Sequence, residues 1–176
     1  MTPLSNLIDG IGTSFGPLCT KTIEDCQRWI QRLACTLDTE HWLKGLEPNP
    51  TTVLHQDPVQ GFVLKTHHVL EGQYFAPHDH GQGWVIYAVQ SGEMELSTYV
   101  EPGGKGTAPL VRRERYRMGP GDCRVFLPGD IHDTRCVSKS VRLFRFTSCD
   151  LDIEAEEGRM TKFVARDGDW VRPSSV

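Results

Sequence analysis

The chain of 176 residues is 38% hydrophobic, 24% charged and carries a formal net charge of −4. That is apolar material for one core, too little length for two ordinary domains, and too few uncompensated charges for a disordered tail. The acidic balance, with a pI near 6.0, argues against a nucleic-acid partner, because phosphate binding demands a cationic face.

The first residues, "MTPLSNLIDGIGTSFG", lack both a basic stretch and a long apolar run, so they do not read as an export signal. No apolar segment approaches the ~20 residues of a membrane span, which argues against a membrane partner. Six cysteines, Cys19, Cys26, Cys35, Cys123, Cys136 and Cys149, form no C-x-x-C pair. Without export, reduced thiols and a cytoplasmic location are expected.

In chain order, "TIEDCQRWIQRLACTL" (22–37) places Ile23, Cys26, Ile30, Leu33 and Leu37 at steps of three and four, which predicts a one-sided helix. Thr22 and Asp25 resemble a capping box at its start. A second short helix is expected around Trp42, Leu43 and Leu46, ended by "EPNPTT". From residue 52 the apolar period changes to two. "GFVLKTHHVL", "WVIYAV", "EMELSTYV", "VRRERYRM", "CRVFLP" and "SVRLFRF" read as short strands, with turns at Ser91-Gly92 and in "EPGGKGTAP". Asp167-Gly168 between β-prone pieces predicts a last hairpin. The expected organisation is a helical cap over 1–50 and a β-barrel over 51–176, forming one structural domain of mainly β class.

The chemistry concentrates in "FAPHDHGQGWVIYAVQSGE" (75–93) and "LPGDIHDT" (127–134). On a strand, residues i and i+2 share a face, so His78 and His80 can converge on one point, with His132 as the third imidazole. An isolated H-x-H is more often a solvated turn. The surrounding spacing argues otherwise.

Gly72, five residues, His78-Asp79-His80 and the later Gly92 resemble the first motif of the cupin superfamily. Gly121, Gly129 and His132 match the offsets of its second motif, with the proline displaced to Pro128. The resemblance implies a cupin double-stranded β-helix, a jelly-roll barrel, with a short N-terminal helical cap and a metal held by His78, His80 and His132. The motif's glutamate falls at Trp84 or Val85 and its asparagine at Cys136, so the implied ligands are three neutral histidines, as in thiol dioxygenases. The paired helices before the barrel resemble the cysteine dioxygenase layout. That family's Ser-x-His-x-Tyr triad has no counterpart in "SVRLFRFTSCD", and its cross-linking cysteine aligns with Val85.

The metal expected on this resemblance is Fe(II), with Zn, Ni or Mn as alternatives, and the partners are O2 and a small polar or anionic substrate such as a thiol. Homodimers are common among cupins. The competing readings are a metal- or ligand-binding sensor without catalysis, and a metal-assisted isomerase or lyase.

Around the histidines, Trp84 and Tyr87 are candidate substrate contacts, although core packing is the default for aromatic residues. Lys65 stands where thiol dioxygenases place a carboxylate-clamping arginine. Asp130 and Cys136 are candidate partners behind the ligands, against the plainer readings of turn residue and buried thiol. Asp79 and Asp133 flank the ligands as well. Arg113, Arg115 and Arg117, like Glu93 and Glu95, read as solvated strand faces. Of His67 and His68, parity lets only one face inward.

Overall fold

The computed structural model describes residues 3–36, 50–103 and 108–173. Two helices come first, α1 (Pro3–Ser14) and α2 (Thr20–Cys35). Eleven strands follow among the described residues: β1 (Thr51–Gln56), β2 (Val63–Leu70), β3 (Tyr74–His78), β4 (Val85–Ser91), β5 (Met94–Val100), β6 (Val111–Met118), β7 (Cys123–Phe126), β8 (Ile131–Cys136), β9 (Ser140–Thr147), β10 (Val164–Arg166) and β11 (Asp169–Val171). A single-turn helix, α3 (Leu151–Glu156), separates β9 from β10.

One sheet has the order β1-β2-β9-β4-β7 and the other β3-β8-β5-β6, with antiparallel pairing throughout. Chain neighbours such as β4 and β5 lie in different sheets. The Ser91-Gly92 turn is therefore a crossover, and the topology is a double-sheet jelly roll. The predicted Asp167-Gly168 turn joins β10 to β11, with φ of 53° and 91° at its two residues. Left-handed backbone at both positions is what a two-residue hairpin needs, and Asp-Gly adopts it at little cost.

Strand parity gives the first sheet two apolar faces. Phe62, Leu64, Trp84, Ile86, Ala88, Phe144 and Phe146 pack outward against Leu7 and Ile11 of α1 and Cys26, Ile30 and Leu33 of α2. Val69, Val85, Tyr87, Val89, Val141 and Leu143 face inward, against Met94 and Leu96 of β5, Met118 of β6 and Cys136 of β8. Wedging the sheet between cap and barrel fixes it from both sides.

The helix expected over 22–37 spans 20–35 and buries Thr22, Cys26, Ile30, Leu33 and Ala34. Its N-cap is Cys19, which makes no side-chain cap bond. The capping-box expectation is corrected accordingly: Thr22 is buried beside Cys19, and Asp25 pairs with Lys21 and Arg28 on the helix surface. The second predicted helix, around Trp42, and the centre of the "EPGGKGTAP" loop lie outside the described residues. Helix α1 carries Gly10 and Gly12, whose poor helix propensity hides it from periodicity. Gly10 is required by contact, because a Cβ there would collide with the Trp29 indole of α2. All six cysteines are free. Among the described residues, no helix is long and apolar enough to cross a membrane.

Phe146 is fully buried and touches Phe15, Phe62 and Trp84 at ring-centroid distances of 5.9, 5.7 and 5.1 Å. Phe146→Ala should cost about 3–5 kcal/mol of unfolding free energy in urea titrations. Val59→Ala, at a residue 90% exposed, should stay within about 0.5 kcal/mol.

Candidate metal centre

The three histidines reach one point by different routes. His78 ends β3 and sits directly opposite His132 of β8 in the sheet register. His80 lies beyond the strand, which corrects the expectation of a same-face pair on one strand. A turn brings it back. Gly81 takes φ 62°, and Asp79 accepts bonds from the amides of Gly81 (3.0 Å) and Thr161 (2.9 Å). The ring centroids lie 5.2 Å (His78–His80), 4.8 Å (His78–His132) and 4.9 Å (His80–His132) apart. One potential ligand atom from each falls within 4.8 Å of the others.

The nitrogens fit a metal by what they lack. Both ring nitrogens of His80 and of His132 are buried without a hydrogen-bond partner. Native interiors rarely leave such atoms orphaned, because each unmade bond costs about 1–3 kcal/mol. His78 has one partner: its Nδ1 lies 2.9 Å from the Ala76 carbonyl. A carbonyl can only accept, so Nδ1 carries the proton and Nε2 is left as the lone-pair atom. Burial holds all three imidazoles neutral: it pushes His80 down to about 3, takes His132 well below its usual value and lowers His78. Neutral imidazole is the form that ligates.

Aromatic rings form the wall. The Phe126 ring lies 3.9 Å from that of His132, tilted by 33°, and Tyr87 lies 5.4 Å from His132 and 6.3 Å from His80. Tyr87 thus faces the centre. Trp84 does not: its odd spacing from Tyr87 turns it to the outer face, where it packs 5.1 Å from Phe146 and 6.1 Å from Phe15 beneath the cap. The two could never have shared the pocket, since residues three apart on a strand point oppositely.

Other sequence candidates fall elsewhere. Asp130 accepts from the Leu127 amide at 2.7 Å and is a turn residue. The Cys136 thiol donates to the Ser138 carbonyl (3.2 Å) and makes no bond to a ligand imidazole. Asp133 faces away from the histidines on β8, accepting from the hydroxyls of Tyr74 (2.8 Å) and Tyr99 (2.6 Å) and the amide of Ser97 (2.9 Å). Those bonds lock β3 and β5 to β8 next to His132, and burial with the adjacent carboxylate pushes the Tyr99 phenol up to about 12. Glu95 and Glu93 pair with Arg115 (2.6 Å) and Arg117 (3.7 Å) on the outside. Lys65 is tied by its ammonium to Asp152 of α3 at 3.3 Å.

Two site residues escaped the sequence reading. Arg145 stands opposite both Lys65 and Tyr87 in the sheet register. It lines the same cavities as His78, and its Nε is buried without a partner. In "SVRLFRFT" its phase with Val141 and Leu143 marks it as inward-facing. The second is the segment after β9. Glu154 is buried, receives the Gln82 amide (2.9 Å) and holds Arg159 through two bonds (3.0 and 2.7 Å). The Phe163 amide donates to the Pro77 carbonyl at 2.9 Å. Residues 150–163 thereby clasp the loop that carries His78 and His80.

No protein-family model matches the chain, and no curated protein matches it. Among solved structures it is similar to the cupin domain of Schizosaccharomyces pombe Cnp3, with 14% identity over 61% of this chain and 69% of that one and a TM-score of 0.44. It is also similar to KdgF from Halomonas sp., at 19% identity over 58% of this chain and 81% of that one, TM-score 0.45. The DMSP lyase DddQ from Ruegeria pomeroyi shows 21% identity, TM-score 0.45, over 58% of this chain and 47% of its own, so about half of that protein is spanned. At such identities the function has to be argued from the residues.

Replacing His78, His80 or His132 with Ala should lower metal content severely, read by elemental analysis, while the circular dichroism of the β-barrel persists. Full metal occupancy in His132→Ala would remove it from the ligand set.

A pH dependence follows from the buried imidazoles. Burial pushes His67 down to about 3, as it does His80. A histidine depressed in the folded state contributes stability that is complete above its unfolded value near ~6.5 and lost as pH falls towards about 3. Urea midpoints of metal-free protein should therefore decline as pH is lowered from 7 to 4. In His67→Gln the decline should be shallower.

Proposed function

We propose that this chain is a metal-dependent cupin that uses Fe(II) at His78, His80 and His132 to oxygenate a small anionic molecule, with thiols the leading class. The observation that carries this reading is the converging trio of neutral imidazoles, His80 and His132 buried and His78 half-buried, with no carboxylate in the cluster. A divalent ion so held would keep its full charge and open positions for an anionic substrate atom and for dioxygen.

The chain's own residues do the remaining work. The Ala76 carbonyl fixes the His78 ring and its tautomer. Phe126 and Tyr87 exclude water from one side of the trio. A mouth of about 410 Å³, lined by Phe75, His78, His80, Arg145, Asp152 and Lys162, gives access from the other. Arg145 places a permanent positive charge beside the imidazoles, favouring an anion and orienting it before reaction. Among the described residues only the histidines form a ligand cluster.

The test is a ligand-ordered binding experiment. Anaerobic Fe(II)-loaded protein should bind nitric oxide, a surrogate for dioxygen, more tightly once cysteine, 3-mercaptopropionate, mercaptosuccinate or a β-diketone is added. Oxygen uptake should accompany product formation for the same compounds. If none alters nitric oxide binding and no oxygen is consumed, oxygenation fails and a non-catalytic binding role takes its place.

A further inference from the structure

Beyond the mouth lies a smaller slot of about 90 Å³ that shares Phe75, His78 and Arg145 with it. The sheet register grades this slot from polar to apolar. Across the first sheet, Lys65, Arg145 and Tyr87 form one row, His67, Leu143 and Val89 the next, and Val69 with Val141 a third. Across the second, the row of His78, His132 and Thr98 gives way to Thr134 with Leu96, then Cys136 with Met94. Both sheets thus place charge and imidazoles at one end. At the other they place Val69, Met94, Cys136, Val141 and Leu143, each at most 7% exposed.

The charged lining is one-signed. Arg145 and Arg135 line the slot and no carboxylate does. Arg135 is exposed, its guanidinium 5.1 Å from the centre of the Tyr74 ring. Arg145 is the inner cation, with its Nε buried and unpartnered. His67 also lines the slot: Thr51 Oγ1 lies 2.9 Å from its Nδ1, and its buried Nε2 has no partner. With the threonine hydroxyl donating to Nδ1, Nε2 carries a proton and becomes a donor. An unpartnered guanidinium nitrogen and an unpartnered imidazole nitrogen over an apolar floor describe a receptor for an anionic head on a short chain.

We propose that the site selects a short aliphatic carboxylate whose head is held by Arg145 and His67 and whose chain occupies the slot between Val69, Met94, Cys136, Val141 and Leu143. The slot admits on the order of four to six carbons. This adds a carboxylate head and a short apolar chain to the anionic substrate proposed above and rests on that reading for the chemistry that follows binding.

Calorimetric titration with straight-chain carboxylates from acetate to octanoate, on metal-loaded and metal-free protein, tests it. Affinity should rise about fourfold per methylene and peak near five or six carbons before falling. Arg145→Gln should weaken pentanoate at least about tenfold and leave 1-pentanol unchanged. Arg166→Gln, at an exposed residue of β10 outside the slot, should bind pentanoate as the wild type does. Val69→Leu, which fills the slot, should move the optimum to a shorter chain, a shift that a merely structural role of Val69 would not produce. A length optimum with Arg145 dependence in metal-free protein upholds the proposal whatever the oxygen assay shows. Affinity indifferent to chain length, or to Arg145, overturns it even where metal is bound and oxygen is consumed.

Discussion

Burying three imidazoles against one another in an apolar barrel is the constraint on which the site depends. In such surroundings a charged histidine is expensive, so each ring is held neutral, with His80 pushed to about 3. Neutrality leaves lone pairs, and while the Ala76 carbonyl accepts from His78, the ring nitrogens of His80 and His132 have no hydrogen-bond partner. Phe126 and Tyr87 contribute faces and edges where a polar group would be needed. The cost of those unmade bonds is what a metal would relieve, which couples metal binding to stability.

That arrangement requires strands that cannot shift, because a slip of one residue would turn every side chain to the other face. Two devices hold them. On β8, His132 points inward while its neighbour Asp133 collects two tyrosine hydroxyls and an amide on the opposite face. In the first sheet, the outward Phe62, Ile86, Phe144 and Phe146 are clamped beneath α1 and α2. Register in both sheets is set by groups that face away from the centre.

The mouth is shaped by residues that follow the last barrel strand. Glu154, with Arg159, grips the Gln82 amide, and a Cβ at Gly81 would collide with the same carboxylate. A glycine is therefore needed there both for its positive φ and for the close approach of α3. The Lys65–Asp152 pair at the entrance joins a carboxylate that is 79% exposed. A pair so open to water adds little stability, on the order of 0–1 kcal/mol. It does occupy the lysine, while Arg145 and Lys162 line the mouth beside the histidines.

By itself the sequence determined what local periodicity and spacing can carry. Alternation predicted β2, β4, β5, β6, β7 and β9, the 3.6-residue stripe predicted α2, and Asp-Gly predicted the last hairpin. The offsets linking Gly72, His78, His80, Gly121, Gly129 and His132 resemble the cupin motifs, and that resemblance implied the jelly roll and the three imidazoles. Tertiary structure decided the rest, because it depends on which faces meet. Trp84 went to the cap because its parity opposes that of Tyr87. Helix α1 formed despite Gly10, because the Trp29 ring fills the space a side chain would take. Asp133 and Glu154 acquired roles only when residues 34 to 72 positions away were folded against them. Arg145 had its inward phase written in its strand, but the engagement of Lys65 at the entrance depended on Asp152 reaching it, 87 residues apart along the chain.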